Sequence, residues 1–131
     1  MNGETQLSTL LKTMQPVLHE GAYVFCTVDL PTLPVDFNEI LFSFKEQEGT
    51  TLVLQQAVAD RLELPYGYVA AWITLTVHSS LAAVGLTAAF SSALAKHGIS
   101  CNVVAGYYHD HIFVAQEDAV RAMEVLEELG R

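Results

Sequence analysis

The chain has 131 residues, 51% of them hydrophobic and only 16% charged, which is enough apolar material for a packed core and excludes wholesale disorder. Fifteen acidic residues against 6 basic ones give a formal charge of -9, a balance that repels phosphate backbones and acidic lipid. Nucleic acid and membrane surfaces are therefore not expected partners. No run of about 20 apolar residues exists to span a bilayer. The N-terminus has neither the basic region nor the apolar stretch of a secretion signal, so the expected compartment is the cytoplasm. Cys26 and Cys101 lie far apart in apolar runs and read as buried free thiols.

Leu7, Leu10, Leu11, Met14 and Leu18 recur at helical spacing, so residues 5–15 read as an amphipathic helix closed by Pro16. Residues 23–28 are rich in β formers and read as a strand. The Asp29–Pro34 stretch, with two prolines, stops it. Residues 36–40 have room for one helical turn. A hairpin comes next, with strands at 41–45 and 50–54 joined through Gly49. Residues 56–64 read as a helix ended by Pro65 and Gly67.

Residues 68–78 give the clearest strand. Ala71, Ile73, Leu75 and Val77 alternate with Trp72, Thr74, Thr76 and His78, so one face is core and the other semi-polar. A helix is expected from Ser79–Ser80 to His97, with a serine hydroxyl capping its first turn and Gly85 inside its early turns. A strand at 99–106 puts Ile99, Cys101, Val103 and Ala105 on one side and Asn102 and Val104 on the other. After a turn at 107–110, residues 111–115 return as a strand. Residues 118–129 close the chain as a helix stopped by Gly130.

The second half thus reads strand, helix, strand, strand, helix. The first half reads the same, with the first helix shrunken to a connection. Each copy lacks one strand of a βαββαβ motif. The first copy takes its fourth from the segment after Tyr68 or exchanges strands with the second; spacing leaves both open. The division expected is residues 1–67, a helix plus an abbreviated unit, and residues 68–131, a complete unit. The fold class is α+β: tandem ferredoxin-like units, antiparallel sheet, helices on one face.

The run from Val77-His78-Ser79-Ser80 to Leu86, followed by Lys96-His97-Gly98-Ile99 and Cys101-Asn102-Val103-Val104, resembles an ACT domain. With Phe42-Ser43-Phe44-Lys45-Glu46 and Gly106-Tyr107-Tyr108-His109-Asp110-His111, nearly the whole chain resembles the small bacterial stand-alone proteins of unknown function that carry two ACT-like units. The tandem arrangement also resembles the amino-acid-sensing modules of aspartate kinases and of the arginine sensors of animal cells. The resemblance implies regulatory binding of a small molecule, usually an amino acid, at an interface between ACT units. By position the contacts would be His78, Ser79, Ser80, Leu81, Val84, Gly85 and Leu86 on the loop after the first strand, and Cys101, Asn102 and Val103 on the second strand.

Individually, these residues carry two readings each. Ser79 and Ser80 cap a helix, and the same amides suit a ligand carboxylate. Gly85 serves close packing or ligand access. Asn102 reads a ligand's ammonium or carboxylate, or satisfies an edge at a subunit interface. Asp29 either meets a ligand ammonium in a second pocket or caps the turn before Pro31. His109, Asp110 and His111 raise a metal, but a zinc site wants three or four convergent ligands, and a polar hairpin tip is the favoured reading. Nothing matches a nucleophile elbow, a P-loop or a dinucleotide fingerprint, so neither an enzyme nor a cofactor is expected. The functional expectation is a ligand-sensing regulatory module that forms a homodimer. The alternative is a structural or protein-binding module without a small ligand, for which the amphipathic N-terminal helix and Trp72 speak.

Overall fold

Alternation along the β-rich runs decides which side chains meet the helices, and the fold grows out of it. A computed structural model describes residues 6–29, 35–77 and 84–131. In chain order its elements are α1 (Leu7–Thr13), β1 (Gln15–Leu18), β2 (Tyr23–Val28), β3 (Ile40–Lys45), β4 (Thr50–Gln55), α2 (Gln56–Arg61), β5 (Val69–Thr76), α3 (Leu86–Lys96), β6 (Asn102–Ala105), β7 (Asp110–Ala115) and α4 (Ala119–Leu129). They make two ferredoxin-like units, each an antiparallel sheet with its helices on one face.

One unit is Gly21–Ala70. Here β2 pairs with β4 along its whole length, from Tyr23↔Gln55 to Val28↔Thr50, and β3 pairs with the other edge of β4. The fourth strand is the start of β5, where Val69 and Ala70 pair with Val24 and Tyr23. Val24, Cys26, Leu52, Leu54 and Ala59 form the core between sheet and α2. The first helix of the motif is reduced, among the described residues, to a 3-10 turn at Phe37–Glu39. A reciprocal capping box between Asp36 and Glu39 holds that turn. Arg61 of α2 fastens it further, donating to both Glu39 carboxylate oxygens at 2.7 and 2.8 Å. The single turn expected at 36–40 is therefore present.

The other unit is Met1–Glu20 with Ala71–Arg131. Its sheet order is β1-β5-β7-β6, and its fourth strand comes from the N-terminus: β1 runs antiparallel to β5 from Gln15↔Thr76 to Leu18↔Ile73. Ala71, Ile73, Leu75 and Val77 of the β5 segment, with Ile112 and Val114 of β7, pack under Leu86, Phe90 and Leu94 of α3 and Ala122 and Leu126 of α4. Leu10 of α1, fully buried, and Met14 complete this core. The N-terminal twenty residues thus group with residues 71–131, whereas chain order alone gives 1–67 and 68–131.

Several boundaries differ from the sequence expectations for local reasons. The N-terminal helix stops at Thr13, and Pro16 lies in an unanticipated strand, β1, at a sheet edge where a missing N–H is tolerated. The helix expected from Ser79 begins, in the described residues, only at Leu86. Its N-cap is Gly85 in the left-handed region (φ +99°), with no side-chain cap, so Gly85 stands before the helix rather than inside it. The strand expected at 99–106 is Asn102–Ala105, which leaves Cys101 just ahead of it.

Candidate functional site

The residues nominated from sequence fall in three places. His78, Ser79, Ser80 and Leu81 lie outside the described residues. At the end of that loop Val84 is 83% exposed, while Leu86 is buried in the core and anchors α3 instead of facing a ligand. Gly85 between them turns left-handed, and a β-carbon there would meet Leu7 Cδ2 at 3.3 Å. The first turn of α3 carries neither a side-chain cap nor an acidic residue. On the second strand, Cys101 packs partly against the same core, and burial pushes its thiol up to about 11, which makes it a poor nucleophile and metal ligand. Asn102 is exposed on β6, its Nδ2 donating to the Phe113 carbonyl at 3.4 Å. Val103 pairs with Ile112 and so leans to the helix side, 37% exposed. Asp29 follows the last residue of β2 in the Gly21–Ala70 unit and is exposed.

A second cluster lies on the helix-free face of the sheet in the unit containing β7, and sequence reading assigned it no joint role. The His19 ring stacks on Trp72 with centroids 3.5 Å apart and planes 13° from parallel. The His19 backbone N–H donates to the Trp72 carbonyl at 2.9 Å, extending the β1–β5 ladder by one residue. Trp72 Nε1–H, which can only donate, reaches His111 Nδ1 at 3.2 Å. That nitrogen is therefore a lone-pair acceptor, and the Thr74 hydroxyl, 3.0 Å from it, donates to it as well. Thr74 Oγ1 in turn accepts from His19 Nε2 at 2.7 Å. His111 is therefore neutral in this arrangement, with its proton on Nε2, and His19 carries a proton on the Nε2 that donates to Thr74. A proton added at His111 Nδ1 would displace two donors.

Burial works in the same direction, holding His19 below the usual histidine range. For His111 burial is again the main cause of depression, His109 and His19 add to it, and Asp110 opposes it. Asp110 is itself held above the usual carboxylate range by burial, against the pull of His111 and His109. Nδ1 of His109 turns to the Val77 carbonyl at 3.3 Å. The signal that could have exposed this cluster is the pair Trp72 and Thr74 on one strand face. Their partner His19 stays hidden as long as β1 reads as the end of a helix.

A groove of about 570 Å³ runs between α3 and α4, lined by Ala89, Ala93, Lys96, Arg121, Glu124 and Leu129 among others. It touches none of the residues nominated from sequence. Arg121 is tied down by Asp118 at 2.9 Å and by the His97 carbonyl. Among the described residues no three His, Cys, Asp or Glu side chains converge as metal ligands, and no helix is long and apolar enough to cross a membrane. Cys26 and Cys101 are both free.

Comparisons agree with this architecture. ACT-domain family models match residues 2–71 and residues 68–128. A Vibrio cholerae protein of unknown function, described as a possible transport protein, is 50% identical, with a TM-score of 0.86 over 95% of this chain and 96% of that one. The ligand-free regulatory subunit of aspartate kinase from Thermus thermophilus superposes with a TM-score of 0.63 at 9% identity, over 92% of this chain and 99% of that one. Escherichia coli aspartokinase III, solved with aspartate and ADP, gives 0.62 at 12% identity, over 87% of this chain and 32% of that one. At such identities the last two show a shared fold alone. No curated protein matches.

Proposed function

The chain belongs to the ACT-domain family, whose members are regulatory rather than catalytic modules, and from that premise we propose that it binds a small molecule, by class an amino acid. The binding elements would be the loop His78–Leu86 and the start of β6. The observation that carries this reading is the opening of α3. Its first turn comes after a left-handed glycine and, among the described residues, has no side-chain cap and no acidic residue, so its amides suit an added acceptor. A ligand carboxylate supplies one, with Ser79 or Ser80 as a further donor and the exposed Asn102 amide for the ligand's second polar group. Leu86 and Cys101 set the positions of the two elements through the core and do not contact the ligand. The free thiols accord with a cytoplasmic setting.

A thermal-shift screen against the common amino acids tests the proposal. Ligand at 100 times its Kd adds about 2.7 kcal/mol of apparent stability. A shift with one or two related amino acids, weakened in Ser80→Ala and Asn102→Ala, is expected. A flat screen at millimolar concentration sinks it and leaves the interaction module without a small ligand. The exposed Phe44 and Val17 on strand faces favour that second reading.

A further inference from the structure

The groove between α3 and α4 is built by a second stripe on each helix, beside the stripe that feeds the core. On α3 it consists of Ala89, Ser92, Ala93, Lys96 and His97; on α4, of Arg121, Glu124, Val125, Glu128 and Leu129. Both sets follow the spacing i, i+3, i+4, i+7, i+8, which is one continuous face of a helix. The neighbouring stripes, Leu86, Phe90 and Leu94 on α3 and Ala122 and Leu126 on α4, are the ones buried against the sheet. Arg121 donates to the His97 carbonyl, so the first turn of α4 meets the last turn of α3. The floor is apolar and incompletely covered: Ala89, Ala93, Val125 and Leu129 are half-buried. The walls are charged. Lys96 and Glu124 are exposed, and among the described residues neither has a hydrogen-bond or ion-pair partner. Positive charge from Lys96 and Arg121 thus gathers at one end, and the carboxylates of Glu124 and Glu128 follow along α4.

We infer that this groove receives an amphipathic α-helix of a partner protein, apolar along one stripe and basic beside it. Helix-in-groove recognition lays apolar anchors at i, i+3 or i+4, and i+7 into a groove of this kind. The lining stretch of each helix rises about 12 Å, the length over which such anchors repeat. Alanines on the α3 side let the incoming backbone come close, and Val125 and Leu129 supply the apolar contact on the other. Charge fixes the rest. Glu124 and Glu128 call for Arg or Lys beside the apolar stripe, and the unpaired Lys96 calls for a carboxylate near one end of it. A small metabolite fits poorly, because its site buries most of the ligand, whereas Ser92, Lys96, Arg121, Glu124 and Glu128 all remain exposed. An added strand needs an open sheet edge, which a pair of helices does not offer. The inference is independent of the ligand proposal, since none of these residues belongs to the loop after β5 or to β6.

Fluorescence anisotropy of the full chain with a defined probe tests it. The probe is a blocked, labelled, alanine-rich helical peptide of about 18 residues. Leucines form its apolar stripe, arginines flank that stripe, and a glutamate sits at one end. At about 0.15 M salt it should bind saturably, with amide shifts confined to α3 and α4. A peptide with glutamates in place of the arginines should not bind. Ala93→Arg, which fills the groove, and Glu124→Lys should each weaken binding about tenfold or more. Glu127→Lys and Thr87→Arg change exposed residues of the same two helices that do not line the groove, and should stay within about twofold of wild type. Circular dichroism checks that each variant is folded, and sedimentation equilibrium gives the oligomeric state. No binding by the wild-type chain, shifts centred elsewhere, or folded groove variants that bind as tightly as wild type each overturns the inference. Equal weakening by Glu127→Lys and Glu124→Lys overturns it as well, since general charge attraction then explains the binding. So does a wild-type dimer that Ala93→Arg separates, which would give the groove to a second copy.

Discussion

At the scale of single residues, Gly85 shows how the candidate loop is built. Within a helix a glycine is a cost relative to alanine. At φ +99°, as the N-cap of α3, it is instead the residue that takes the conformation without a β-carbon clash. Space is short as well, because Leu7 Cδ2 would lie 3.3 Å from an added β-carbon. Gly85→Ala should therefore lose about 1–2 kcal/mol of stability, from the left-handed backbone alone. Urea denaturation measures it, and a variant as stable as wild type would show that the loop relaxes freely. The oddity of a glycine near the start of a helical run was legible in the sequence. Its φ was not, because an apolar and alanine-rich stretch around it supports a continuous helix equally well.

Among elements, β1 decides what sequence reading could and could not find. The strand faces of β5 were legible from strict alternation, and so were the core residues of α3 and α4 from their periodicity. Gln15–Leu18 was not, since four residues carry too little periodicity to be told from the end of a helix, and Pro16 reads as a stop. Missing it hid the link from His19 through Thr74 to His111. That link has a measurable consequence. Both histidines titrate below the ordinary value of 6.5 in the folded chain, so the unfolded chain binds more protons as the pH falls below it. Their contribution is fully present above pH 6.5 and is lost as the pH drops from there toward the depressed folded values. Asp110, held above 3.8, acts in the opposite sense and in a lower window. Urea titrations between about pH 7.5 and 5 should therefore show stability falling with acid, and His111→Gln should flatten the curve. A wild-type curve flat over that range would mean that the imidazoles are solvated and not held neutral.

On the scale of the whole molecule, the repeated pattern of strands and helices was readable, while the ownership of the fourth strands was not. Spacing records only the order of segments along the chain. Pairing between β1 and β5 joins segments at distant points of it, and no local pattern encodes that pairing. The same holds for Leu10 and Met14, buried in a core whose other buried residues all lie beyond 70. A fragment cut at the boundary suggested by chain order, residues 68–131, would leave one edge of β5 unpaired and uncover the place of Leu10 and Met14. It should be unfolded or molten by circular dichroism and amide exchange. Residues 71–131 rejoined by a short flexible linker to residues 6–20 should fold, because the ends lie close: a β-carbon at Gly130 would come within 3.1 Å of the Leu11 carbonyl oxygen. Leu10→Ala in the full chain should then cost about 2–5 kcal/mol, the range for emptying a fully buried leucine site. Its loss of protection should fall on the amides of β5 and β7, not on those of β3 and β4. Protection lost evenly across both units would instead mean that the two cores unfold as one, and the N-terminal strand would then be an accessory to a single cooperative block.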